Sequence, residues 1–195
     1  MLYLVAGLFF LAIAVIQWRQ VGENTEAIAR ERGRELFVLI ELTRSWNANH
    51  GGVYVPVSEQ VQPNPYLDHP QREQTTVEGR KLTLVNPSHM TRQIADLAEK
   101  TTGAHFRITS LKPLRPANAP DPWEVEALRL FSAGSQKDRF GYVADFEFGG
   151  KPRAVFRYMA PLYVKPSCLG CHEKLVYRLR LSGHAFATQA AFRMA

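Results

Sequence analysis

The stretch RFGYVADFEFGGKPRAVFRYMAPLYVKPSCLGCH, residues 139–172, decides how this chain is read. Its runs at 139–148 and 154–164 are rich in aromatic and β-branched residues. They flank Gly149, Gly150, Lys151 and Pro152, which is turn chemistry, so the pair reads as an antiparallel hairpin. The second arm leads directly into Cys168-Leu169-Gly170-Cys171-His172.

Working outward towards the N-terminus, 123–133 reads as a short helix with Asp121 as its cap, after a loop punctuated by Pro113, Pro116, Pro120 and Pro122. The run 105–111 alternates as a strand does. Before it, MTRQIADLAEKTTG is a helix capped by Asn86 or Ser88, with Ile94, Leu97 and Ala98 as its apolar stripe and Gly103 ending it. The VYVPV run at 53–57 is a strand, and Pro56, Pro63, Pro65 and Pro70 then forbid regular helix in a long loop. A helix over 22–49 precedes it, its stripe formed by Ile28, Leu36, Leu39, Ile40, Thr43 and Trp46. The expected class is α+β: an antiparallel sheet flanked by helices, with too few βαβ alternations for a doubly wound fold.

Residues 2–18, LYLVAGLFFLAIAVIQW, hold no charge and span about 25 Å as a helix, enough to cross most of a bilayer. An uncleaved anchor is expected, although Ala12-Ile13-Ala14 resembles a processing site. The expected organisation is a membrane segment at 1–19, an amphipathic helix at 20–49, a ligand-binding domain at 50–175 and an atypical tail at 176–195. Arg19, Arg30, Arg32 and Arg34 follow the apolar run, so positive-inside counting alone keeps the remainder cytoplasmic. The net charge of +6 comes from scattered Lys and Arg without a stripe of stacking aromatics, which argues against nucleic acid. No nucleophile–base set, phosphate-binding glycine loop or carboxylate pair points to an enzyme.

Cys-x-x-Cys-His is the spacing of covalent haem attachment: two thiols form thioethers at one porphyrin edge while the adjacent imidazole ligates iron. Cys168 and Cys171 would anchor and His172 would ligate. A redox disulfide needs no histidine and expects a thioredoxin-like βαβ unit. Structural zinc wants four protein ligands, and the chain's two cysteines are already in the motif. Chance spacing is the third alternative.

Five phrases carry a resemblance: WNANHGGVYVPV at 46–57, NPYL at 64–67, LTLVNPSHMTRQI at 82–94, ITSLKPLRPANAPDPWE at 108–124 and FRYMAPLYVKPSCLGCH at 156–172. In this order, over roughly residues 36–175, the chain resembles the bacterial family of c-type haem PAS-like sensor domains of Tll type, often placed before HAMP and histidine-kinase or chemoreceptor modules. The resemblance implies a PAS-like domain outside the cytoplasm, carrying haem c and reporting redox state or a diatomic gas. It implies Cys168, Cys171 and His172 as the attachment set, and a periplasmic location against the count of arginines. A longer reading frame with basic residues upstream would remove that conflict.

The second iron ligand does not transfer from the resemblance. His50, in the HGGVYVP phrase, is the first candidate, with Met90, His89 and Met159 as alternatives or an open site. Each has an ordinary structural role too: His50 as a helix cap, the methionines as core. Arg157 and Arg92 are candidates for the haem propionates. Expected partners are the membrane, a second copy of the chain, and a histidine kinase or chemoreceptor. A membrane-tethered electron-transfer cytochrome is the alternative function. After His172 the chain departs from the family: LVYRLRLSGHAFATQAAFRMA stands where a Gly-rich turn, a final apolar strand and a second membrane span are expected, which leaves either a stand-alone anchored haem domain or a frameshift or truncation.

Overall fold

The computed structural model describes residues 1–145, 153–163 and 188–193. One helix, α1, runs from Leu2–Asn49 without a break at the expected 19/20 boundary. Its first half is apolar all round and bare: Leu4, Phe9, Phe10, Leu11, Val15 and Ile16 are each at least half exposed. Among the described residues this helix alone is long and apolar enough to cross a membrane.

The second half of α1 turns one face onto the protein. Ala29, Leu36, Phe37 and Ile40 pack against Phe156, Tyr158 and Ala160, while Gly33 is buried with Tyr158 at its backbone. This stripe differs from the one expected from sequence. Ile28, Leu39 and Trp46 are exposed, and Leu36 and Ile40 alone of the aliphatic set face the core. Several residues could continue a helical stripe here, and the small Gly33 fixes the phase by allowing close approach.

At its C-terminal end α1 is tied to the next layer. Asn47 is buried and donates through Nδ2 to the Val85 carbonyl at 3.0 Å, and Arg44 Nη1 donates to the Pro87 carbonyl and Thr91 Oγ1. Gly51 and Gly52 then reverse the chain at φ 73° and 95°, where a side chain is strained. A Cβ on Gly52 would also stand 2.6 Å from Leu84. Strands β1 (Val53–Pro56), β2 (Glu73–Thr75) and β3 (Lys81–Val85) form a small antiparallel sheet in the order β1-β3-β2. The sequence reading missed β2 and β3, which lie in a polar segment. Only Thr83, Leu84 and Val85 are deeply buried there.

Helix α2 (Pro87–Thr102) has Asn86 as N-cap, accepting from the His89 N–H at 2.9 Å, and ends at Gly103 with φ 71°. Leu97, expected on its apolar stripe, is exposed; the buried side chains of α2 are His89 and Thr91. After β4 (Phe106–Thr109) and a 3-10 turn at Pro116–Asn118 comes α3 (Pro122–Ser132), closed by a capping box between Asp121 and Glu124.

Strands β5 (Arg139–Asp145) and β6 (Arg153–Leu162) pair antiparallel as the opening stretch predicts. A further strand, β7 (Thr188–Arg193), completes a four-stranded antiparallel sheet in the order β4-β7-β6-β5. The expectation that the tail replaces the final strand is therefore corrected. TQAAFR lacks the apolar alternation of a strand, but it lies between two partners and is paired along its length, and pairing outweighs weak local propensity.

β6 is covered on both sides. Alternate residues point to opposite faces of a strand: Phe156, Tyr158 and Ala160 meet α1, whereas Met159 meets Ala127, Leu128 and Phe131 of α3 together with Trp123. That double burial explains why VFRYMA reads as a nearly continuous apolar run. Arg157 is the exception, and its guanidinium donates to the Asp121 carboxylate beside the Trp123 ring.

Candidate functional site

Cys168, Cys171 and His172 lie outside the described residues, as do His184 and the turn at 149–152. The site is therefore described from the groups expected to face them. Among the described residues no group of three or more His, Cys, Asp or Glu side chains gathers as a metal site would require.

His50 sits at the exposed C-cap of α1. Its Nδ1 donates to the Trp46 carbonyl at 2.7 Å, and its ring lies 4.5 Å from the Trp46 ring centroid. It acts as a helix-end cap, its ring adding a second donor to the Trp46 carbonyl that the His50 backbone N–H already reaches at 3.3 Å. His89 differs in every respect. It occupies the first turn of α2, is 5% exposed, and its Nδ1 is buried without a hydrogen-bond partner. Its Nε2 lies 3.3 Å from the Gln93 amide nitrogen one turn on. Burial, and secondarily the nearby Arg92 cation, pull its pKa below the ordinary imidazole value, so the ring is neutral at pH 7.

Arg92 is half-buried on the same face of α2, three residues after His89. Burial first, then the like charge of Arg115, lowers its pKa; Asp96 and Tyr66 oppose that effect. Arg115 in turn donates to Asn118 Oδ1 at 3.1 Å. A neutral buried imidazole thus stands beside the Arg92 guanidinium, which in turn lies near Arg115. This combination can donate a lone pair to a metal and compensate carboxylates.

The remaining candidates have structural surroundings. Met159 is wholly buried in the α3 cluster, and Arg157 serves the Asp121 cap of α3. Met90 is half-buried beside His89. Sequence reasoning missed Gln93, Arg115, Tyr66 and Asn47, whose Oδ1 is also buried without a partner. Gln93 was accessible from spacing alone, because i and i+4 on a helix meet. Arg115 and Tyr66 are brought near Arg92 by loops, and no local pattern encodes that.

Comparison with curated proteins and with solved structures finds no match. A family model described as Tll0287-like, Tll0287, matches residues 22–178. That span takes in the docked half of α1, both helix–sheet layers as far as β6, and the Cys168–His172 run, and by it the chain belongs to the Tll0287-like family.

Proposed function

We propose that this protein is a membrane-anchored, extracytoplasmic sensory domain of PAS-like fold that carries haem c. The observation that carries the reading is Cys168-Leu169-Gly170-Cys171-His172 within the family-matched span, in a chain with no other cysteine. Cys168 and Cys171 would hold the porphyrin as thioethers and His172 would ligate iron. The described residues are compatible with such a group: His89 offers a buried imidazole nitrogen without a partner, and Arg92 a half-buried cation suited to a propionate. Bound there, haem supplies an iron that changes oxidation state or takes a diatomic gas.

The protein's part is to exclude water and carry displacement outward. β6 leads towards the attachment run and is clasped by α1 through Tyr158 and Gly33. The same helix continues into the apolar segment at 2–18, so a shift of β6 reaches the membrane through one rigid element. This continuity favours sensing over the alternative, a tethered electron-transfer cytochrome, for which a flexible tether would serve as well. The output would come from a partner such as a histidine kinase or chemoreceptor, or from pairing with a second copy. Covalent haem attachment in bacteria occurs outside the cytoplasmic membrane, so the soluble part belongs in the periplasm, and no enzymatic activity is assigned.

The deciding measurement is a pyridine haemochrome spectrum of the protein expressed with a periplasmic haem-attachment system. A c-type spectrum that Cys168→Ala and Cys171→Ala together abolish supports the reading; a colourless wild-type protein refutes it. Tight CO or NO binding with altered α1 packing then favours sensing, and rapid electron exchange without such change favours the cytochrome.

A further inference from the structure

We propose that α1 pairs in parallel with α1 of a second copy of this chain, along an exposed apolar stripe that β6 leaves uncovered. Val21, Ile28, Leu39, Leu42 and Trp46 are each more than half exposed. At about 100° per residue all five lie within about 40° of Ile28 around the helix, in a line about 37 Å long. The docked residues Ala29, Gly33, Leu36, Phe37 and Ile40 centre about 120° away. A second helix can therefore lie along the stripe without disturbing β6. Scattered apolar side chains on a surface need no explanation, but a continuous line of them marks an interface. From Ile28 through Arg32, Glu35, Leu39 and Leu42 to Trp46 the spacing alternates four and three, the seam of a two-helix coiled coil.

The two charges within the seam select the occupant. Arg32 and Glu35 are exposed, whereas their neighbours Glu31 and Arg34 already pair with each other. They lie on opposite sides of the stripe's midline, and a two-fold axis parallel to the helices brings opposite sides together. Arg32 of each copy then faces Glu35 of the other, about 4.5 Å apart along the axis. Two arginines and two glutamates make a neutral quartet, which an apolar helix or a lipid surface could not supply. A slip of one heptad would set Arg32 against Leu39 and Glu35 against Leu42 and strand both charges, so the quartet also fixes the register. The parallel sense rests on the membrane-anchored reading above: α1 continues into the apolar segment at 2–18, and antiparallel copies would carry those segments to opposite ends.

The test is sedimentation equilibrium of the full chain in density-matched detergent, with circular dichroism to confirm folding. Wild type is expected to be dimeric. Leu39→Glu combined with Leu42→Glu should give a folded monomer, because both side chains are exposed in the single chain. Arg32→Glu alone and Glu35→Arg alone each gather four like charges and should raise the dimer dissociation constant about 10–100-fold; the two together should restore it. In membranes, a benzophenone photo-crosslinker at Ile28 should join two copies near Ile28 of each, and one at Glu23, about 140° round the helix, should not. A monomeric wild type overturns the proposal, as does a dimer indifferent to these substitutions, which pairing through residues 2–18 alone would give. Adducts from Ile28 to lipid or to a different protein, or to Leu39 as an antiparallel pair would give, also overturn it. A dimer that responds as stated but shows no haemochrome keeps the pairing and removes only the haem reading.

Discussion

Replacing Gly33 by alanine puts the docking of α1 on β6 to a direct test, because two opposing effects of known size act at that position. In an exposed helix interior, glycine to alanine gains about 1 kcal/mol. At Gly33 the added Cβ would lie 2.6 Å from Tyr158 Cβ and 2.7 Å from Cγ. Carbon atoms settle at about 3.5–4.0 Å, so α1 must retreat by about 1 Å. The obstructing atoms are the root of a strand side chain and cannot swing aside. A gap of that size forfeits about a quarter to a half of the dispersion at each contact, here those of Ala29, Leu36, Phe37 and Ile40. Overpacking of this kind costs about 1–3 kcal/mol, and a rigid obstacle selects the upper end. The net effect is a destabilisation of about 2 kcal/mol. Gly22 on the same helix has nothing within 4 Å of its would-be Cβ, so Gly22→Ala keeps only the gain. Thermal unfolding of the full chain in detergent, followed by circular dichroism, should shift down by about 4–8 °C for Gly33→Ala and up by about 2–4 °C for Gly22→Ala. Equal stabilisation by both substitutions would refute the close approach of α1 to Tyr158, and with it the route from β6 to the apolar segment at 2–18.

Three further outcomes follow from the same packing. Burial tends to raise the Asp121 carboxyl, but the Glu124 N–H and the Arg157 guanidinium outweigh it and hold its pKa below the usual value. Its contribution is therefore present above about pH 4, the unfolded aspartate range, and is lost as pH falls through the lowered folded value. Asp121→Asn keeps a capping oxygen yet removes the carboxylate charge that the Arg157 guanidinium donates to, so at pH 7 it should cost about 1–3 kcal/mol; urea unfolding across pH should show the gap to wild type closing on acidification, and parallel curves would contradict the pairing. Met159→Ala should cost about 2–5 kcal/mol in urea unfolding, because the side chain is wholly enclosed, while the haem spin state stays as in wild type; a change of spin state would make Met159 a ligand. Arg92→Gln removes a cation beside the proposed propionate, so potentiometric titration should give a lowered reduction potential with low spin retained, and an unchanged potential would remove Arg92 from that role.

Local signals were legible where one residue determines one structural event. Asn86, Asp121 and Gly103 mark helix ends that the structure keeps, since capping is a contact between near neighbours in sequence. The pairing of β5 with β6 was readable for the same reason. The phase of α1 was not, because Ile28, Leu39 and Trp46 look as suited to burial as Leu36 and Ile40. What decides between them is the absence of a side chain at Gly33 opposite Tyr158, more than a hundred residues away in sequence. β7 was illegible because its strand character comes from two partners and not from its composition. At the candidate site, ligand chemistry ranked His50 first, as both histidines carry the same imidazole. Position on the helix separates them: His50 follows the last turn and folds back on Trp46, whereas His89 lies three residues inside a cap that turns it to the interior.

Partly buried charges fasten β6 and β4 to α3. Arg157 from β6 holds the Asp121 carboxylate, Asp121 and Glu124 close the capping box of α3, and Glu124 also accepts from Arg107 on β4. Glu124 and Arg157 are almost wholly buried, so separating either from its partner would strand a charge away from water, which costs about 3–5 kcal/mol. On the other face Arg30 holds Asp138 at 3.0 Å and lies 4.3 Å over the Phe140 ring, fastening α1 to the start of β5. That pair is partly exposed, and surface ion pairs are worth about 0–1 kcal/mol. The two sides of the sheet are thus unequally bound: α3 is joined to β6 and to β4 by ion pairs each with one deeply buried partner, whereas α1 meets this sheet through apolar contacts, the Arg30–Phe140 stacking and one weak pair. A disturbance arriving along β6 would therefore be relieved first at the α1 interface, and α1 is the element that continues into the apolar segment at 2–18.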